Sequence, residues 1–559
     1  MISRFVVPAA TAALAVIATA CAGRAAPAGQ IAAGGTVPAI TAADLERRLF
    51  LIADDSLMGR ETGSAGAAAA SAYVAAEFRR LGLEPAGDGG TYFQTVPFWR
   101  AAVDPASRIE AGGTTLTLGR DFLPASIAAP PLTVDGMAAV YGGPASDTTR
   151  WIPTEQGAGK IVVLDGALPR GTFVAPGRWR GAAALALVTL ERIGPEAIAR
   201  LREGRPVPDS LPNVNVLPLL WLSRRGATAL LGAAPETLAP GAVGAPLRGR
   251  FGVARTPVAF PARNVVAVLR GRDPALRGEY VALTAHHDHV GFDHSPVDHD
   301  SLRAFDRVVR PMGADSPARD ATPEEWTRIH SILDSLRRLR PARLDSIRNG
   351  ADDDGSGTVS LLEIAEAMAS GGARPRRSIL FVSHTAEEAG LLGSRCFTDH
   401  ATVPLDSNVG EIDQDMVGRG TTADFPRGGT GAGSATYLEV VGAKRLSRAF
   451  GEALDAANAR QPTPFVFDLT YDQPGHPLQY YCRADHYSYA RYGIPSLALS
   501  RGEHLDYHQV TDEAQYISYP DLLRVSRMVF DAAMALADAP TRPALDAPKA
   551  TNPNALCRQ

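Results

Sequence analysis

The sequence predicts an α/β protein: a sheet with helices on both faces, interrupted by a smaller β-rich inserted domain. Three observations carry this. From Asn264 onward, apolar runs of strand length alternate with longer segments of helical periodicity. From about 122 to 254 the texture changes to short strands and turns, and that block contains no histidine or cysteine. The length of 559 residues suggests two or three domains, and 45% apolar with 21% charged residues is a globular composition.

Taken in order, the chain begins with a targeting segment. Arg4 precedes an apolar run over 5–20, too short for a membrane span and the right length for a signal-peptide core. The run ends Ala18-Thr19-Ala20-Cys21, an A-x-A cleavage site that also resembles a bacterial lipobox, in which Cys21 would be lipidated. Signal peptide 1–20 and tether 21–40 therefore imply export, as an envelope lipoprotein or a secreted protein. The tether is rich in Ala, Gly and Pro. Of the remaining cysteines, Cys396, Cys482 and Cys557, at most one pair can form an internal disulfide.

Leu45, Leu49 and Ile52 share a helical face. A second helix through Tyr73, Val74 and Phe78 stops at Gly82, a natural C′ residue. These elements form the first part of a main domain, 41–121. The inserted domain, 122–260, has a buried strand near 160–164 and an Ala/Leu-rich run at 181–190 that reads as a helix leading into a strand. The main domain resumes over 261–537, with strands at 265–269, 280–285, 379–383 and 411–415 and helices at 358–369, 446–457 and 521–535. Within it, 301–344 reads as a surface helical insertion, or alternatively as a lid. There Thr322-Pro323-Glu324-Glu325 has a capping-box shape ahead of Trp326, Ile329, Leu333 and Leu336. The segment 538–559 reads as a disordered tail.

Charge excludes one class of partner. A net charge of −4 leaves no electrostatic footprint for nucleic acid. Only three lysines occur among 56 basic residues, a compositional bias with no functional message. The histidines are more informative, since all 12 lie between His286 and His508.

Four clusters stand at strand ends or in the loops that follow. They are Ala285-His286-His287-Asp288-His289-Val290-Gly291, Asn349-Gly350-Ala351-Asp352-Asp353-Asp354-Gly355, Ala386-Glu387-Glu388-Ala389-Gly390 and Asp413-Gln414-Asp415-Met416, with His508 following late in the chain. Singly, each reads as a solvated turn or a helix N-terminus favoured by the dipole. Together, carboxylates gathered where strands converge repel one another unless a cation compensates them. Imidazole with carboxylate, and no cysteine pairs nearby, suits zinc in a catalytic setting.

These motifs in this order resemble the co-catalytic di-zinc aminopeptidases, a family that includes bacterial leucyl aminopeptidase, aminopeptidases S and Y, and glutamate carboxypeptidase. The spaced signature is H-x-D, G-A-D-D, E-E, D-M and a C-terminal histidine. The flanking phrases Met58-Gly59-Arg60-Glu61-Thr62-Gly63, Asp485-His486-Tyr487 and Tyr507-His508-Gln509-Val510-Thr511-Asp512 share the likeness. The resemblance implies a mixed-sheet zinc exopeptidase fold and a protease-associated-like inserted domain. It implies two zinc ions, one bound by His286 and Asp415 and the other by Glu388 and His508, with Asp353 bridging both and a cis bond between Asp353 and Asp354. It makes Glu387 the general base and Asp288 the residue that orients His286. His287, His289, His384 and His486 match no ligand position and read as packing or substrate-side residues.

The implied activity is that of an exported zinc-dependent exopeptidase acting on peptides, foremost an aminopeptidase. A dipeptidase or carboxypeptidase on the same scaffold is the alternative, and a non-catalytic envelope binding protein is a third reading. Side-chain preference and oligomeric state are not legible in the sequence.

Overall fold

The computed structural model describes residues 33–126, 129–168, 178–179, 181–209, 217–371, 374–421, 424–425, 433–546, 552–555, 557 and 559. The expected signal peptide, Cys21 and most of the tether lie outside them. Among the described residues no helix is long and apolar enough to cross a membrane.

The main body is a nine-stranded mixed sheet. Strand Tyr280–His286 runs parallel to Ser378–His384 on one side and to Asn408–Gln414 on the other, and Ser496–Ser500 continues the parallel set. Ala262–Leu269 and Tyr437–Val441 flank this set antiparallel. Four neighbouring strands therefore end on the same edge, where a doubly covered sheet presents its ligand-binding loops. Alternate residues explain the two covered faces. Val265, Ala267, Leu283 and Phe381 pack with helices Ala42–Ile52, Ala65–Arg80, Gly357–Ser370, Arg448–Ala459 and Tyr519–Asp538. Val266, Val268, Ala282 and Val382 pack with Phe397 and Tyr489 from helices Leu392–Asp399 and His486–Ala490. The expected strands and helices of 261–537 are thus present. The second helix ends at Arg80, with Leu81 as its C-cap and Gly82 left-handed at φ +70°.

Helix Ala42–Ile52 is tied to this body by a buried ion cluster. Arg48, 1% exposed, meets Glu77 at 2.5 Å, Glu363 at 2.7 Å and Glu366 at 2.6 Å. Glu363 and Glu366 lie on the helix that follows Asp353, so the cluster fixes the base on which that residue stands.

The inserted domain is a separate eight-stranded sheet with its own core around Ile109, Phe122, Ile161, Ala186 and Leu247. Its boundary differs from the expected 121/122. Strands Arg108–Ala111 and Thr114–Leu116 belong to it, the former paired with Val243–Phe251. The chain departs through Phe98–Val103 and returns through Val253–Pro257, which pair with each other. The run at 181–190 holds no helix: Ala184–Val188 is a strand between two parallel neighbours, fully buried. An apolar run without alternation suits a central strand as well as a helix, and burial on both faces decided it.

The insertion begins earlier than 301. Strands Phe292–Asp298 and Leu344–Ile347 pair and frame helices His299–Val309 and Pro323–Arg337, the latter with a complete Thr322/Glu325 capping box. Its small core is Ala304, Val308, Val309 and Ile329. It packs on the segment that carries His508: Arg303 pairs with Asp506 at 3.1 Å, and Ala314 N–H donates to the Tyr507 carbonyl at 3.0 Å.

The expectation of a disordered tail over 538–559 is corrected for its described part. Cys557 forms a disulfide with Cys482, and the Gln559 side-chain oxygen accepts from Tyr481 N–H at 2.9 Å. Cys396 remains a free thiol.

Candidate metal centre

His286 is the last residue of strand Tyr280–His286, in register with His384 on the parallel neighbour. Glu387 and Glu388 follow that neighbour's end, and Asp415 follows Asn408–Gln414 directly. The fold thus delivers these side chains to one edge. Asp353 arrives from the turn before helix Gly357–Ser370, after Gly350 in the left-handed region at φ +53°, where a Cβ would strike the His289 ring at 2.5 Å. The Asp353–Asp354 peptide is cis, as the resemblance implied.

The three consecutive acids divide their work. Asp352 accepts Gly418 N–H at 2.6 Å, and Asp354 accepts His286 N–H at 3.0 Å and Gly357 N–H at 2.9 Å. Both therefore bind loops together, and Asp353 alone faces the other candidate ligands. Its Oδ1 lies 3.3 Å from His286 Nε2, and its Oδ2 lies 2.9 Å from His508 Nε2. Asp415 Oδ1 is 3.7 Å from His286 Nε2, and Glu388 Oε2 is 3.0 Å from His508 Nε2. Two groups of potential ligand atoms result, His286/Asp353/Asp415 and His289/Asp353/Glu388/His508, with Asp353 common to both.

The arrangement fits metal ions. His286 Nε2, His508 Nε2 and Asp415 Oδ1 are buried without a hydrogen-bond partner, although each sits near oppositely charged atoms. Buried polar atoms left in this state call for a partner, and convergent imidazole nitrogens and carboxylate oxygens form a zinc donor set.

The second group contains a residue the sequence reading set aside. His289, read as packing or substrate-side, places Nδ1 2.7 Å from Glu388 Oε1, and its Nε2 has no partner. Its spacing of three from His286 was the available signal. His287 and His384 are packing residues, bonded to Ser383 at 2.9 Å and to Tyr489 at 3.1 Å.

Asp288, expected to orient His286, also touches Glu387, and more firmly. Its carboxylate is 3.7 Å from His286 Nδ1, and its own backbone oxygen is nearer that nitrogen, at 3.2 Å. The carboxylate accepts Glu387 N–H at 3.2 Å and Thr62 Oγ–H at 2.9 Å. The Met58–Gly63 phrase thus has a structural use, and Arg60 adds to it. Fully buried, Arg60 donates to the carbonyls of His287 at 2.9 Å and Gly350 at 2.9 Å, joining two ligand-bearing loops.

Electrostatics separate the adjacent glutamates. Burial, reinforced by Asp415, Glu388 and Asp485, raises the Glu387 carboxyl well above the usual range despite His286. Burial and Asp353 act to raise Glu388 as well, but His508 and His289 overcome them and hold it down at about 2. Against the pull of burial, His286 and His508 keep Asp353 ionised, well below the usual range. An ionised Glu388 and Asp353 suit ligands, and a more basic Glu387 suits proton transfer.

Residues 264–533 match the family model of Peptidase family M28. This segment belongs to peptidase family M28. The M28 segment covers every strand of the parallel set and all the candidate ligands. Among relatives, a leucine aminopeptidase 1 from Coccidioides posadasii is 33% identical over 223 residues, 38% of this chain and 52% of the relative. Another leucine aminopeptidase 1, from Penicillium rubens, is 32% identical over 222 residues, 38% of this chain and 53% of the relative. The chain thus spans about half the length of the relatives it matches. Of solved structures, an aminopeptidase from Aneurinibacillus sp. strain AM-1 aligns over 91% of this chain and 96% of its own, at 16% identity and a TM-score of 0.49.

Proposed function

We propose that this protein is a zinc-dependent aminopeptidase that removes N-terminal residues from peptides. The observation that carries the reading is the pair of ligand groups sharing Asp353, with Glu387 beside them at 3.9 Å from His286 Nε2. His286, Asp353 and Asp415 would hold one zinc, and Asp353, Glu388 and His508 the second, with His289 steadying Glu388. Bound zinc supplies Lewis-acid polarisation and lowers the pKa of water toward neutrality. Glu387 accepts the proton of the attacking water and returns it to the leaving amine, a role its raised basicity favours. Asp288 holds Glu387 through its backbone N–H, and Thr62 holds Asp288 in turn.

Arg395 lines a wider cleft beside Glu387, Glu388 and His508. A cation there suits the terminal carboxylate of a short peptide, which favours a dipeptidase as the second reading. The experiment is hydrolysis of one peptide with a free or acetylated N-terminus, and with a free or amidated C-terminus. Loss on acetylation alone supports the aminopeptidase, and loss on both blocks supports the dipeptidase. Cleavage unaffected by acetylation overturns the first reading.

Export belongs to the same proposal, with lipidated Cys21 as an anchor in the envelope. The disulfide between Cys482 and Cys557 supports it, since such bonds persist in oxidising compartments. Cys21→Ser should move the protein from the detergent phase to the aqueous phase, and an unmodified mature N-terminus would favour plain secretion. The separate eight-stranded sheet is assigned as a protease-associated-like domain that shapes access to the site.

A further inference from the structure

Resting on the aminopeptidase reading, we propose that the inner pocket beside the metal centre selects a basic first residue, lysine or arginine. The pocket is lined by Asp353, Glu388 and Asp415 of the metal centre together with Met416, Val441, Glu439 and Glu503. Met416 and Val441 offer apolar surface to a methylene stem, and the two carboxylates offer a partner to a cationic head. Lysine and arginine have this division along their length, an apolar stem and a cationic head.

Glu439 is the telling residue. It lies in strand Tyr437–Val441, every residue of which is buried, and is itself 1% exposed. Its Oε2 has no hydrogen-bond partner. A carboxylate placed mid-strand, with one oxygen unpartnered and lining a cavity, is costly unless a cation comes to it. Across the antiparallel pair Glu439 faces Ser500, which also lines the pocket, and Glu503 follows three residues later. One cation is already in the lining: Arg483 pairs with Asp315 of the insertion at 2.8 Å, lies 5.0 Å over the Tyr480 ring, and offsets the charge of Glu439 and Glu503 only in part. Among the described residues no ion pair reaches Glu439 or Glu503. Burial, with Glu503 and Asp468 adding to it and Arg483 opposing, raises the Glu439 carboxyl well above the usual range, the condition a substrate cation would relieve.

A leucine side chain in this pocket would leave two carboxylates with only Arg483, itself paired with Asp315, to offset them. Sites built to pair a polar group reject analogues that lack it far more strongly than apolar pockets reject a missing methylene.

The test uses the zinc-loaded full chain and 4-nitroanilides of Lys, Arg, Leu and Met. The lysine or arginine reporter should exceed the leucine reporter in kcat/KM by at least about tenfold. Glu439→Gln, which keeps the size of the side chain, should lower the Lys/Leu ratio by at least about tenfold with zinc content unchanged. Zinc content guards against a variant that has simply unfolded, and Glu503→Gln provides a second position. Leucine or methionine cleaved as well as lysine and arginine would overturn this pocket assignment and leave the aminopeptidase reading intact. So would a Lys/Leu ratio unmoved by either glutamine variant. If no reporter is cleaved, the aminopeptidase reading fails, and calorimetric binding of free L-arginine and L-leucine still decides the pocket. Tighter arginine binding supports it, and equal or tighter leucine binding overturns it.

Discussion

Asp512 accepts the backbone N–H of Asp353 at 3.2 Å, four residues beyond His508 in the chain. The same carboxylate accepts Asp352 N–H at 3.0 Å. The loop that carries one candidate ligand therefore fixes the backbone of the carboxylate shared by both ligand groups. Asp512→Asn keeps the shape but can satisfy these donors only partly. Supporting residues of this kind typically change metal affinity by about 10–100-fold. The variant should lose zinc to a competing chelator that much more readily, with the fold intact by circular dichroism. Unchanged zinc affinity would show that Asp353 is held well enough without it.

The adjacent glutamates should fail differently. Glu387→Gln cannot accept a proton, so kcat should fall by roughly 10²–10⁴-fold while zinc content stays. Glu388→Gln should lose zinc first and recover part of its activity when zinc is added. The check is zinc per chain measured beside kcat. If Glu387→Gln loses the metal and Glu388→Gln keeps it, the roles are exchanged.

Arg48 pairs with three buried carboxylates, two of which Arg80 also holds, and its removal strands Glu363. Arg48→Ala should cost about 3–5 kcal/mol of stability, read by denaturant unfolding. Double replacement of Arg48 and Glu363 by methionine and glutamine should recover part of that loss. A cost under about 1 kcal/mol would mean that water enters and solvates the cluster.

Asp306, on the first helix of the insertion, has both carboxylate oxygens buried and unpartnered. Burial lifts its pKa from 3.8 to about 8, with Asp506 adding to the rise and Arg310 opposing it. Between these values the unfolded chain is ionised at this residue while the folded chain holds the proton. Stability should therefore fall as pH rises from about 4 to 8, by up to about 1.4 kcal/mol per unit. Below about 4 both states are protonated, and the penalty vanishes. Asp306→Asn removes the titration, so its Tm advantage over the parent should widen between pH 5 and 8. A constant advantage across that range would mean that the carboxyl ionises freely in the fold.

The proposed ligands were legible because their chemistry is dense and ordered along the chain. His286, Asp353, Glu388, Asp415 and His508 all come together, and each stands where a strand end or loop delivers it. His289 was not legible, because a histidine three residues from a ligand reads equally well as packing. The separate uses of Asp352 and Asp354 were hidden for a related reason: composition shows three acids, and only backbone direction shows which way each points. In the fold, the strongly periodic helices and the apolar strands of the M28 segment were plain. The start of the inserted domain was not, since Arg108–Ala111 and Thr114–Leu116 are too short to show which sheet they join.

The bond between Cys482 and Cys557 bears on how the protein should be produced. It anchors the stretch holding Pro553, Asn554 and Ala555, which line the wider cleft opposite Glu387 and His508. A host that keeps thiols reduced would yield chains in which that wall is held only by hydrogen bonds, such as those that Arg491 donates to Pro553 and Asn554 at 3.3 Å. Kinetic constants from such material would describe an altered cleft with the proposed zinc ligands untouched. Preparations folded in an oxidising compartment are the proper reference, and a thiol count belongs beside every rate measured on this molecule.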